Sequence, residues 1–361
     1  MSSSLEKSSE NSSTWQSILG VQTIVIAGIA WAVLALLYFL LFSISAPGED
    51  RPLWYTIGTY IFEEVAYLGA AVLCFRNWRS PQIVSGRNVW LGFGMGMLCY
   101  FLGNLLFCYW ELVLHQEPIV SPGDLFFVPA YLFLGWGMIL AVISRRLNLE
   151  IWQWAVVGAI AFVGIALALW LSFAPPKQST AVSVDSLPTS STQVANANLA
   201  KKANAYGTPT TYPATKAPAV KTAKSAQGKA SATGVLAATA EPAPPPAWVI
   251  SVEKLLEPLA GFLNIFYVVI DIFLLIIAAT VLLAFWGGRF SQSWRMIAGA
   301  AFSYYVADMW LKYADTYIGD EYQSGGLLEV FWVFSGVLFA IGAALEFDTS
   351  SRSRRSGRKR A

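Results

Sequence analysis

Read along its length, the chain alternates long apolar runs with short polar breaks. About 20 helical residues cross the ~30 Å of hydrocarbon in a bilayer. Eight runs reach that length: 18–42, 54–75, 88–114, 123–144, 151–174, 257–286, 294–318 and 326–347. Each predicts a spanning helix, so the expected fold class is an all-α polytopic membrane protein with about eight transmembrane helices. The first run follows a Ser-rich polar tail, 1–17. It is too long for the roughly 7–15-residue core of a signal peptide and reads as a retained span.

Between the fifth and sixth runs the pattern lapses. Residues 175–247 hold no Phe, Trp, Ile or Met, but 10 of the 17 Pro. Such a segment buries too little apolar surface to offset its ordering entropy, which predicts a disordered linker. Its seven Lys face only Asp185 and Glu241, so it reads either as an electrostatic tether or as a soluble spacer. The expected organisation is a tail at 1–17, a first four-helix membrane repeat in 18–174, the linker 175–247, a second membrane repeat in 248–347 and a basic tail at 348–361. The helix at 151–174 counts as the first member of the second repeat.

Composition sharpens the class. Hydrophobic residues make up 56% of the chain and charged residues 13%, with a mean hydropathy of +0.52. Soluble domains carry roughly 25% charged residues, so a soluble enzyme is excluded. Cys74, Cys99 and Cys108 lie in apolar runs without a Cys-x-x-Cys spacing, and His115 is the single histidine. No catalytic group is assembled from such a set, so the chain is expected not to be an enzyme, and no cofactor is indicated.

The few charges are sorted by position. Lys7, Arg76, Arg79, Arg87, Arg145, Arg146, Arg289, Arg295 and the tail SRSRRSGRKR fall on one side of the spans. Glu49, Asp50, Glu117, Asp320 and Glu321 fall on the other, with Arg51. Positive short loops stay cytoplasmic. Both termini are therefore expected inside and 175–247 outside, in a bacterial inner membrane or an equivalent energy-transducing one. The polybasic tail suits anionic lipid; nucleic acid is not an expected partner.

Spans two to four and six to eight resemble each other. At a shift of 204, Trp90 meets Trp294, Tyr100 meets Tyr304, Asn104 meets Asp308 and Glu111 meets Asp315. One residue later in register, Asp124 meets Glu329 and Gly137 meets Gly342. Span two fits span six at 207, pairing Glu64 with Asp271, or at 208, pairing Ala70 and Ala71 with Ala278 and Ala279; both registers stay open. Four helices separate equivalent members, so the halves form two parallel four-helix repeats about an axis along the membrane normal, with a cavity expected on that axis.

The candidate functional residues are acids in apolar surroundings. Glu63, Glu64, Asp271 and Asp308 sit near the middle of their spans, where a carboxylate costs ~2.5 kcal/mol or more. Lys312, one turn beyond Asp308, is expected to pair with it. A Tyr precedes four polar residues by one turn: Tyr60 before Glu64, Tyr100 before Asn104, Tyr267 before Asp271 and Tyr304 before Asp308. Tyr–carboxylate sites suit a small cationic ligand or a proton relay; interhelical packing bonds are the competing reading. Ser121-Pro122-Gly123-Asp124 reads as a capping box, with Glu329 after Gly326 as its counterpart. Glu111 and His115, one turn apart, offer too few ligands for a metal. Gly92-x-x-x-Gly96 is expected to let helices pack closely inside the bundle.

The run SPGDLFFVPAYLFLGWG and the later run SYYVADMWLKYADTYIGDEYQSGGLLEVFWVFSGVLFAIGAAL resemble the repeat-containing multi-pass sensory region that precedes some bacterial diguanylate cyclase and phosphodiesterase domains. The resemblance implies a sensory input module, with Asp124, Asp308 and Glu329 as its acidic positions. The sequence ends 14 residues after the eighth span, so output through a signalling partner protein is expected. A proton- or cation-coupled transporter and a membrane scaffold are the alternatives.

Overall fold

The computed structural model describes residues 20–44, 51–114, 120–143, 149–173, 246–284, 291–318 and 322–358. The chain divides into two units, 1–177 with 243–361, and 178–242; the second lies outside the described residues, as do the tail 1–17 and all but the end of the expected linker. Every regular element described is helical: α1 Val21–Phe42, α2 Leu53–Arg79, α3 Arg87–Leu112, α4 Asp124–Ile143, α5 Ile151–Phe173, α6 Ala247–Leu256, α7 Ala260–Ala284, α8 Ser291–Tyr317 and α9 Val330–Arg358. A 3-10 turn over Glu257–Leu259 joins α6 to α7, and another over Leu327–Glu329 leads into α9.

Among the described residues, seven helical stretches are long and apolar enough to cross a membrane. The chain is a helical integral membrane protein. The expected seventh span, α8, is long enough but too polar to qualify; it carries Arg295, Asp308, Lys312 and Asp315. Helices α5, α7 and α9 pack against it, partly covering Asp308 and Lys312, while Arg295 and Asp315 nearer its ends are exposed. Two boundaries also shift. The sixth stretch starts at Ala247 rather than 257, because Pro258 sits in the 3-10 turn, where a missing N–H is tolerated. The last helix runs on to Arg358, through much of the expected tail.

The packing partners define a closed ring. α2 packs on α3, α3 on α4, α4 on α7, α7 on α8, α8 on α9, and α9 on α2. α1 lies outside it against α2 and α9, and α5 lies outside against α7 and α8. Glycines set the closest approaches. A Cβ on Gly92 would stand 2.8 Å from the Gly137 Cα, so α3 and α4 touch backbone to backbone. A Cβ on Gly137 would meet the Phe93 ring at 2.8 Å and the Val89 carbonyl at 3.1 Å. One on Gly342 would meet Ile297 at 2.8 Å and the Ser293 carbonyl at 3.2 Å.

The centre of the ring is filled, where the sequence predicts a cavity. Trp90 and Trp294 meet with ring centroids 6.4 Å apart, and Phe93 lies 5.5 Å from Phe339. Farther along, Tyr100 stacks on Tyr67 at 3.9 Å and meets Tyr304 at 5.5 Å. Large rings occupy the axis because α3 and α8 face each other across it without touching backbones. A shallow depression lined by Ser85, Arg87, Val89 and Leu140 lies at the end of the bundle that carries Arg79.

Candidate functional site

Two ends frame the site: the Arg79 end and the Asp124 end. The Asp124 end is tied down by local polar contacts. The Ser121 N–H donates to the Asp124 carboxylate at 2.8 Å, and the Gly123 N–H donates to the Ser121 hydroxyl at 3.1 Å. Glu329 accepts the N–H groups of Gly325 and Gly326, each at 2.7 Å, and the Tyr322 hydroxyl. Gly325 has φ +96°, and a Cβ there would stand 2.9 Å from the Tyr55 ring, so only glycine fits this turn. Arg51 donates to the Gln323, Ser324 and Ser43 carbonyls and fastens the same loop to the start of α2. Burial and the adjacent Glu329 push the Tyr322 phenol above its ordinary range.

Inside the bundle, apart from Glu346 of α9, which is fully buried and accepts the Ser350 hydroxyl, the acids fall into two groups. In the first, Glu63 on α2 is 6% exposed and accepts the Asn104 side-chain N–H from α3 at 3.2 Å. Glu64 is half-buried beside it, with both oxygens covered. Tyr60 donates its hydroxyl to Glu111. In the second, Asp271 on α7 is 2% exposed and lies beside Asp308 on α8. Asp308 accepts the Tyr131 hydroxyl from α4 and the Trp332 indole N–H from α9, the latter at 2.8 Å. The Asp271 Oδ1 is covered and has no hydrogen-bond partner. Among the described residues, no cation forms a salt bridge with Glu63, Asp271 or Asp308.

Several expected pairings are replaced. Lys312 donates to Asn264 on α7 at 2.6 Å rather than to Asp308, whose oxygens are taken by Tyr131 and Trp332. The one-turn Tyr–polar pairs do not close on themselves. Tyr60 reaches Glu111, and Tyr267 reaches Asp124. Tyr100 and Tyr304 pack as rings at the axis, Tyr304 also lying 5.3 Å from Tyr131. Side chains four apart share a helix face, but that face points at a neighbouring helix, and the neighbour supplies the shorter contact. His115 and Glu117 lie outside the described residues.

Compared with known proteins, the chain matches no protein-family model, no curated protein and no solved structure.

Tyr131 and Trp332 are absent from the list that sequence spacing suggests. Both donate to Asp308 from other helices, 177 and 24 residues away. Only the pairing of α4 and α9 around α7 and α8 exposes them. No set of three or more His, Cys, Asp or Glu arranged to hold a metal occurs among the described residues, and the three cysteines are free thiols.

Proposed function

We propose that the chain is a membrane-embedded sensory module whose ligand is a proton held between Asp271 and Asp308, with the protonation state passed to a signalling partner. The observation that carries this reading is the partnerless Oδ1 of Asp271, buried beside a second carboxylate with no countercharge. A proton shared by two adjacent carboxylates replaces their repulsion with a hydrogen bond. Among cationic ligands the proton fits best. Hard metal ions take about six or more oxygens, whereas the donors of Tyr131 and Trp332 occupy both oxygens of Asp308. An organic cation needs room that the central rings fill.

The same proposal takes the ring as two parallel repeats. Its support is that residues 204 apart, Trp90 with Trp294 and Tyr100 with Tyr304, meet each other at the centre. Gly137 and Gly342, 205 apart, face equivalent atoms of α3 and α8. Glu63 with Asn104 then corresponds to Asp271 with Asp308, favouring the register of 208 over 207 for α2 and α7. The arginines of the Arg79 end support its assignment to the cytoplasm of a bacterial inner membrane.

The test is proton uptake per chain in nanodiscs, read with a pH indicator across a downward pH step. The wild type takes up a proton that Asp271→Asn does not, with equal helix content by circular dichroism. Equal uptake by both proteins overturns the reading and leaves the pair as packing, as a membrane scaffold requires.

A further inference from the structure

We infer that the Asp271–Asp308 pair exchanges its proton with one side of the membrane only, the side of Asp124 and Glu111. The inference rests on the pair being a proton site and adds to it the direction of access.

Position comes first. Asp308 lies seventeen residues after Ser291 and nine before Tyr317. At a rise of about 1.5 Å per residue, the pair is about 14 Å from the Asp124 end of α8 and about 26 Å from the Arg79 end. Asp308 sits off centre on α8, toward Asp124, while Asp271 lies near the middle of α7, between Ala260 and Ala284.

The two directions also differ in chemistry. Toward Asp124, a phenol within one turn of each group of acids, on the same helix, donates to a half-buried carboxylate. Tyr267, one turn from Asp271, donates to Asp124; Tyr60, three residues from Glu63, donates to Glu111. The Tyr267 ring lies 5.3 Å from that of Tyr131, which donates to Asp308. Polar and titratable groups therefore line this direction from Asp308 through Tyr131 and Tyr267 to Asp124. Toward Arg79, the axis is closed by Trp90, Phe93, Met97, Trp294 and Phe339, each 1% exposed or less. Around that plug the backbones of α3 and α4 touch at Gly92 and Gly137. The buried polar groups on that side bond locally: Asn77 and Ser293 donate to the Ala343 and Gly342 carbonyls, and Glu346 accepts the Ser350 hydroxyl, and none of these bonds leads to the pair.

The groups facing the pair complete the picture. α4 presents Tyr131, α7 presents Tyr267, and α8 presents Tyr304 and Tyr305. Tyr67 of α2 and Tyr100 of α3 lie near Asp308 across the axis. α9 contributes the Trp332 indole, and α5 carries no titratable residue. Among the described residues, no salt bridge joins the pair to a cation. A carrier needs a route to both sides; this arrangement is that of a sensor.

The experiment uses the full chain in proteoliposomes sorted to one orientation by a C-terminal tag, with the carboxylic acid C=O infrared band as readout. The pH is stepped on one side while the other is held by strong buffer. The band is expected to follow the Asp124 side and to ignore the Arg79 side. Tyr267→Phe, which keeps the ring, is expected to slow the response by about tenfold or more without moving its midpoint. Asp124→Asn, which keeps the size of the cap, is expected to slow it too. A band that follows the Arg79 side, or both sides, overturns one-sided access while leaving the proton site standing. No response in vesicles from a protein that titrates in nanodiscs overturns it as well. No titration in either setting overturns the proton site itself.

Discussion

Tyr131 of α4 donates its phenol hydrogen to Asp308 of α8, 177 residues farther along the chain. The bond ties the span that follows the Ser121–Asp124 cap to α8, a long helix too polar to qualify as a span. It also fixes one oxygen of a carboxylate whose other oxygen takes the Trp332 indole. Tyr131→Phe keeps the ring contacts with Tyr267 and Tyr304 but strands that oxygen. A buried acceptor left unpaired costs about 1–3 kcal/mol. Thermal unfolding in detergent is expected to show that loss, and Trp332→Phe a similar one.

Lys312 makes the opposite case. Its ammonium donates to Asn264 and not to Asp308. Lys312→Gln is therefore expected to leave proton uptake by the pair unchanged in nanodiscs. Uptake lost in this variant would show that the lysine is the countercharge of Asp308 after all.

The glycines separate into two kinds. Gly92→Ala sets a methyl 2.8 Å from the Gly137 backbone, which cannot rotate away. Overpacking of this sort costs about 1–3 kcal/mol. Gly158→Ala and Gly261→Ala meet nothing within 4 Å and are expected to be neutral or slightly stabilising in the same melting assay.

Much of the fold was legible from hydrophobic run length, because the need for about 20 apolar residues per crossing leaves few alternatives. The exceptions have local causes. α8 fails the apolar criterion because Arg295, Asp308, Lys312 and Asp315 are written into it. α6 was hidden by Pro246 and Pro258 on either side of it. The site was half legible. Acids in apolar helices announce themselves, so Glu63, Asp271 and Asp308 were visible, whereas their partners were not. One-turn spacing names the face a residue shares, and the hydrogen bonds of Tyr60, Tyr267 and Asp308 leave that face for other helices. The closed axis was invisible for the same reason: opposing rings are an outcome of helix pairing.

Alkaline pH probes the loop at the Asp124 end. The Tyr322 phenol is raised by burial and by Glu329. Its contribution to stability is complete below the ordinary phenol value of 10.0. It falls as pH rises above that value, where the unfolded chain ionises and the folded one does not. Protection from hydrogen exchange over 322–329, taken relative to the intrinsic base-catalysed rate, is expected to hold at neutral pH and to fall above about pH 10. Tyr322→Phe is expected to remove that fall in protection. Glu329→Ala, which strands two backbone N–H groups, is expected to quicken exchange at every pH.

The central claim is that a proton resides between Asp271 and Asp308. The most direct measurement is the infrared carboxylic acid C=O band of the protein in nanodiscs across a pH titration, for the wild type, Asp271→Asn and Asp308→Asn. The account predicts a titrating band in the wild type that either substitution abolishes while the helical amide signal is kept. A wild-type band that never changes, or one that survives both substitutions, would contradict it.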